Sequence, residues 1–468
     1  MIVKVLQRYH VLWRITFINL ELHCTSTDPG RIGGTGRISR EANMNARLRN
    51  FAGGIAAACA ALMLAGAGSA LADGMRGSLK DEPPRYSDSW WKDVTFSGHI
   101  EGGYTFNAAD PPDHLNFGHL FTDRSDDILL NQFILTLERP LDPKKASQFQ
   151  MGFKLQGMYG SDARYTHFLG EFDKVTHDRT QFDVVEAFLN FHLPILTKDG
   201  LDAKVGQFVT MEGAEVIDAR GNFFYSHSYI FNFGIPFKHT GIMTTTHVSP
   251  LLDIMLGVTT GVNTTFGHDG DNNDAIAFHG GIGLNLLNGD LTIAATTHIG
   301  PELPRGTPGV NPNSDLRYLN DITTVWKVTK KLTSTTDLNY IHDDGLKADG
   351  WGIAQYFTYT CNDQWSFGIR GEVWKDSDGA FVAAFPGTQD FVNVEKGLPN
   401  TAVAFGPTTY YALTLGANYK PPVDKRFEGL VIRPEIRWDW SSDTKPFNAG
   451  TEDHQFTAGI DIIIPFKR

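Results

Sequence analysis

Four charges recur at every second position in Arg433-Pro434-Glu435-Ile436-Arg437-Trp438-Asp439. Acid and base share one parity, and apolar side chains take up most of the other. Along an extended chain this spacing lines a single wall with fixed charges. Such a wall attracts, repels and orients ions and polar solutes. The same parity singles out Glu101, Glu138, Lys154, Glu186, Arg370 and Glu372. For each of these ten residues, ion pairing that stiffens the wall is the alternative to contact with a solute. A second concentration lies in the connection 209–236. It carries Glu212, Glu215, Asp218 and Arg220, then Phe223, Phe224, Tyr225 and Tyr229. Folded inward, it would set its acids against the basic wall residues and create a transverse field. Folded outward, it would only cover a surface.

Other chemistries find little support. Asp269-Gly270-Asp271-Asn272-Asn273-Asp274 gathers hard oxygen ligands. It nevertheless departs from a calcium-binding loop, with Asp274 where the glycine belongs and Gly280 where the bidentate glutamate belongs. A solvated turn is the expectation. The 16 histidines form no HExxH and no zinc spacing, and His99, His192, His279 and His298 read as polar wall residues. Beyond residue 72 there is no G-x-S-x-G elbow and no phosphate loop, and Cys361 is the one cysteine. No catalytic residue, cofactor or metal is expected.

The elements that must position the wall are strands. Between residues 94 and 466, segments of period two alternate with connections that run long, short, long, short. In 94–106, Phe96, Ile100, Tyr104 and Phe106 oppose Ser97, His99, Glu101 and Thr105. In 182–193, Val185, Ala187, Leu189 and Phe191 form the apolar row. Asn288-Gly289 is the sharpest hairpin signal, of the type I′ kind. In 427–440, the apolar row Leu430, Ile432, Ile436, Trp438 and Trp440 includes Pro434, for which a local bulge is expected. Long connections confined to one end are what a transmembrane barrel requires. The fold class is therefore all-β, an antiparallel up-and-down transmembrane barrel of about sixteen strands with both termini periplasmic. The short outer connection 343–347 is the weakest point of the alternation.

Ahead of the barrel, Met44, Arg47 and Arg49 precede an apolar run 51–71 that ends at Ala70-Leu71-Ala72. This reads as a signal peptide, 44–72, cleaved after Ala72. Residues 1–43 read as an upstream extension from a misassigned start, and 73–93 as a periplasmic lead-in. The barrel occupies 94–468. The whole chain has 41 basic and 53 acidic residues. Residues 1–72 hold eight and three of these, which leaves 33 and 50, a net charge of −17. That balance argues against nucleic acid as a partner and for a mild cation preference.

Several short segments resemble the OmpL-like family of beta-barrel porins from Gram-negative bacteria. They are Asn116-Phe117, Leu120-Phe121-Thr122-Asp123, Leu130-Asn131-Gln132 and Tyr159-Gly160-Ser161-Asp162-Ala163. A central set runs through Val205-Gly206-Gln207-Phe208, Gly213, Glu215, Val216, Asn222, Tyr225-Ser226, Tyr229, Phe231, Pro236 and His239-Thr240-Gly241. Gly300-Pro301-Glu302, Leu413-Thr414-Leu415-Gly416, Arg433-Pro434-Glu435-Ile436-Arg437 and Gln455-Phe456-Thr457 complete it. The resemblance implies a porin-like barrel and supplies neither substrate nor catalytic residue.

Sixteen strands enclose an aqueous lumen, so the expectation is an outer-membrane channel for passive diffusion of small hydrophilic solutes or ions. Its partners would be outer-membrane lipid, those solutes, and the barrel-insertion machinery through the apolar last strand. A homotrimer is the analogous assembly. A barrel enzyme (lipase or protease) and an adhesion barrel that uses the connection 376–406 are the alternatives.

Overall fold

The computed structural model describes residues 90–173, 178–424 and 427–467. The proposed upstream extension, the signal peptide and most of the lead-in lie outside them. Sixteen strands form one closed antiparallel barrel in which each strand pairs with its chain neighbours and β1 with β16. They are β1 Thr95–Asn107, β2 Ile128–Arg139, β3 Gln150–Gly160, β4 Gln181–Leu193, β5 Leu201–Val209, β6 Lys238–Ser249, β7 Leu252–Thr259 and β8 Ala277–Leu286. There follow β9 Leu291–Gly300, β10 Arg317–Lys327, β11 Leu332–Asp343, β12 Ala348–Thr360, β13 Trp365–Asp376, β14 Thr408–Tyr419, β15 Val431–Ser441 and β16 His454–Lys467. Every strand expected from periodicity is present, and β2 has the expected bounds. The connection 344–347 is a short turn, as its sequence indicated.

Parity separates two faces. Phe96, Ile100, Phe106, Ile436, Trp438, Ile460 and Ile462 are exposed outward, while Glu101, Arg433, Arg437, Asp439 and Asp461 are buried inward. The outward row needs lipid. Ile460 lies near mid-height of β16 on this row. Ile460→Lys should lower the stability of the refolded barrel by about 2–4 kcal/mol, the cost of a basic side chain at the bilayer midplane. Urea midpoints in lipid vesicles measure this, and an unchanged midpoint would contradict the lipid assignment.

Three details depart from the expected pattern. Val185 is buried, not outward, because the register of β3 and β4 shifts at Gln156/Gly157 and turns Val185 and Glu186 to the same side. An extra residue in one strand does this. A like shift at Glu101/Gly102 turns Asn131 and Gln132 of β2 inward together. Pro434 makes no bulge. It sits opposite Ile460 in continuous register, while the ladder to β14 lapses between Gly416↔Glu435 and Tyr419↔Ile432, where the missing N–H belongs. The hairpin at Asn288-Gly289 is in place, with Leu287, Asn288 and Gly289 all at positive φ.

The lumen is not simply aqueous. At the long-loop end the connections fold inward and share an apolar core that includes Phe117, Phe121, Tyr165, Phe224, Tyr229, Phe231, Phe385 and Trp374. The reason is composition: loops that carry this many aromatic side chains gain more by burying them inside the barrel than by exposing them to water. The connection 377–407, read above as a candidate adhesion arm, contributes Val382, Phe385 and Val392 to buried positions.

Candidate functional site: the lumen and its inward loop

The connection 210–237 between β5 and β6 crosses the lumen, and the wall charges hold it by its backbone. Glu435 accepts the N–H groups of Tyr225 (2.9 Å) and Ser226 (3.0 Å), and Glu372 accepts that of Tyr229 (2.8 Å). Asp321 and Asp337 accept those of Gly213 (3.1 Å) and Ala214 (3.0 Å). The arginines take the carbonyls. Arg370 donates to Ser226 O (2.7 Å), Arg437 to His227 O (2.6 Å), and Arg433 to Ala219 O (3.0 Å) and Asn222 O (2.8 Å). A loop placed inside a barrel loses the water that would satisfy its backbone. Fixed charges on inward strand positions replace that water.

The same charges pair with one another. Arg433 bridges Asp461 (2.6 Å) and Glu101 (3.0 Å), Arg370 bridges Glu215 (2.8 Å) and Glu372 (2.7 Å), and Arg437 bridges Asp439 (2.7 Å) and Glu372 (3.5 Å). His119, on the first inward connection, lies 3.1 Å from Asp439. Eight of the fourteen residues singled out above (Glu101, Glu215, Arg370, Glu372, Arg433, Glu435, Arg437 and Asp439) thus meet around one loop. Lys154 and Glu186 pair with each other across β3 and β4. Glu138 is half-buried in β2. Asp218 and Arg220 form their own pair (2.6 Å), and His99 lies 3.8 Å from Asp218. Glu212 is buried among other acids, and burial with Asp321 and Asp337 nearby pushes its carboxyl well above the usual range.

Residues not singled out complete the dock. Tyr225 OH donates to Asn131 Oδ1 (2.9 Å), and Gln132 Nε2 donates to Ile217 O (2.7 Å) and Asp162 (2.9 Å). Burial pushes Asp162 up to about 7, against the amide bonds from Asn131 and Gln132. His227 is held neutral by burial and by Arg370, Arg433 and Arg437 around it. Close approach needs glycine: a Cβ at Gly103 would lie 2.4 Å from the Tyr225 ring, and one at Gly368 would lie 2.3 Å from Phe223. Glycines at inward strand positions such as Gly103 and Gly368 are a sequence signal that could have revealed a bulky neighbour in the lumen.

The space left open lies toward the short-turn end. A cavity of about 970 Å³ is lined by His192, Asp202, His247, Asp253, Asn285 and Thr323, among others. A smaller one of about 300 Å³ runs under the loop between Glu215, Asn222, Phe223, Tyr356 and Asn418. The Asp271–Asp274 turn is a pinned polar turn, with Arg305 donating to Asp271 O and Asp274 Oδ1 (both 2.7 Å).

A second inward connection carries a pH-sensitive contact. Glu395 ends the short helix Asp390–Glu395 and accepts from Asn263 Nδ2 (2.6 Å). Burial pushes its carboxyl up to about 8. Below its ordinary range, docked and undocked loops both keep the proton. From there up to about 8 only the docked loop keeps it, so docking weakens as pH rises through this window. Glu395→Gln should abolish the slope. The ratio of wild-type to variant rates of proteolysis in 377–407, taken from pH 5 to 9, measures it. That ratio should rise with pH, and a flat ratio would contradict the assignment.

A closed barrel with an outward lipid face and charged inward loops is a membrane channel scaffold. The family model "Putative beta-barrel porin-2, OmpL-like" matches residues 93–466. The chain belongs to this family of outer-membrane beta-barrel porins, and it is a porin channel. No curated protein matches it significantly. Solved structures of similar shape include the outer membrane channel DcaP of Acinetobacter baumannii (12% identity, 80% of this chain and 97% of that one, TM-score 0.49). Another is OprB of Pseudomonas putida at high pH (14% identity, 80% and 94%, TM-score 0.45). The family assignment rests on the family match alone.

Proposed function

We propose that this porin passes small hydrophilic solutes, cations preferentially, past a constriction set by the connection 210–237. The observation that carries this is the loop's position: its backbone is clasped by wall charges on β10, β11, β13 and β15, and the open lumen lies beneath it. Glu138, Lys154 and Glu186 are wall groups for a passing solute, and Glu101, buried against Arg433, stiffens the wall beneath the loop. Arg370, Glu372, Arg433, Glu435, Arg437 and Asp439 act first as loop anchors. The short-turn end and both termini face the periplasm, the leader 44–72 is removed after Ala72, and the barrels associate as trimers. Membership of a porin family favours a channel over the hydrolase and adhesion readings. Protein refolded into planar bilayers should show small stepwise currents, with reversal potentials in a salt gradient shifted toward the cation potential. Absence of steps would sink the channel reading, and an anion-side shift would sink the selectivity.

A further inference from the structure

Three buried histidines meet on the lumen wall beside the root of the inward loop. His279 of β8 and His298 of β9 are directly opposite in register, and His239 of β6 reaches across to them. The ring centroids are 4.2 Å apart for His239 and His279, 4.9 Å for His239 and His298, and 5.7 Å for His279 and His298. All three side chains are fully buried. One nitrogen from each ring lies within 4.8 Å of the other two. Glu212, from the inward loop, brings a carboxylate oxygen to 3.7 Å from His279 Nδ1.

The hydrogen bonds leave the right atoms free. His298 uses Nε2 on Glu302 (2.6 Å), and its Nδ1 has no partner. His239 uses Nδ1 on Gly261 O (3.1 Å), and Nε2 has only a long approach to Thr210 Oγ1 (3.3 Å). His279 has neither nitrogen in a well-formed bond, although the Thr297 backbone lies beside it. Both oxygens of Glu212 are unpartnered as well. A metal-binding imidazole typically gives its other N–H to a carboxylate or a backbone carbonyl, which fixes the tautomer and aims the free nitrogen at the ion. His298 and His239 are held in this way. Unpartnered polar atoms at this depth are otherwise costly.

We propose that His239, His279, His298 and Glu212 form a binding site for one divalent cation of the zinc class. Three imidazoles and a carboxylate suit a borderline ion and not calcium or magnesium. Zinc–nitrogen bonds of about 2.0–2.1 Å put tetrahedral ligand atoms roughly 3.4 Å apart, so side-chain rotations must draw in the three imidazole nitrogens, which lie within 4.8 Å of one another, and swing Glu212 in from beside His279. Four protein ligands leave no open position, which makes the role structural. Three ligands come from wall strands and one from the loop, so the ion ties the start of the constriction loop to β6, β8 and β9.

The test uses tag-free full-length protein refolded with Co²⁺, so that access to a buried site is not limiting, and then freed of excess metal. One Co²⁺ per chain with an intense tetrahedral spectrum, displaced by Zn²⁺, is expected. His279→Ala/His298→Ala should abolish it, Glu302→Gln should weaken it about 10–100-fold, and His342→Ala at the rim should leave it unchanged. Circular dichroism and heat-modified gel mobility report whether each barrel is intact. Substoichiometric cobalt or a six-coordinate spectrum in the wild type would overturn the proposal. So would binding that survives in an intact double variant. If the double variant does not fold, the wild-type spectrum and Glu302→Gln decide.

Discussion

Arg370→Met should weaken docking of the inward loop by about 3–5 kcal/mol, the cost of leaving buried carboxylates without their cation. Arg370 is fully buried and uses all five of its N–H donors. It reaches Glu372 (2.7 Å), Glu215 (2.8 Å), the carbonyl (2.7 Å) and hydroxyl (3.1 Å) of Ser226, and Thr414 (3.2 Å). Its guanidinium also lies 5.0 Å from the Phe224 ring centre. Methionine matches the stem and removes every donor. The barrel itself is held by the ladders of its sixteen strands, so the loss falls on the loop. Single-channel records should show larger and noisier currents. Lys145→Met is the control, because Lys145 and Asp142 form a half-exposed pair, and such pairs contribute at most about 1 kcal/mol. Equal currents in both variants would refute the anchoring role.

Excising the loop should have the larger effect on conduction. Val209 and Lys238 are directly opposite in the β5–β6 register, and Thr210 N–H still bonds Phe237 O (3.0 Å). An Asn-Gly turn in place of residues 211–236 therefore closes the hairpin without strain. The lumen loses the side chains of Phe223, Phe224, Tyr225, Tyr229 and Phe231, and conductance should rise several-fold. The wall then presents Arg370, Arg433 and Arg437 against Glu101, Asp321, Asp337, Glu372, Glu435, Asp439 and Asp461. That excess of acid should strengthen cation selectivity. Reversal potentials before and after excision measure the change, and a shift toward anions would contradict the placement of these charges.

Much of this was legible in the sequence, for a physical reason. A lipid face on one side of every strand forces period two along the chain, so strand number, order and inward parity follow from local pattern. The lumen network does not, because its partners are remote in sequence: Arg433 meets Glu101, and Glu435 meets Tyr225. Parity groups the wall charges on one side of the strands but cannot say whether they meet water or a loop. The bulges that turn Asn131 with Gln132, and Val185 with Glu186, inward carry no sequence mark, so period two alone puts Val185 outward. Pro434 suggested a bulge where the register in fact continues. The histidine cluster was half readable. The Asn288-Gly289 turn sets His279 and His298 at equal distances along its two strands, hence opposite each other. Nothing local brought His239 or Glu212 to them.

The connection 210–237 lies inside the lumen, anchored by the wall. Ser228 is fully buried there, with its N–H on Glu215 (2.9 Å) and its hydroxyl accepting from Phe231 N–H (3.0 Å). A cysteine in its place, with the exposed Cys361 replaced by serine, can be titrated with a bulky charged thiol reagent in intact vesicles. No labelling is expected until the barrel is denatured, and rapid labelling is expected once Arg370→Met is added. Labelling of the folded Ser228→Cys protein as fast as native Cys361 would contradict this placement.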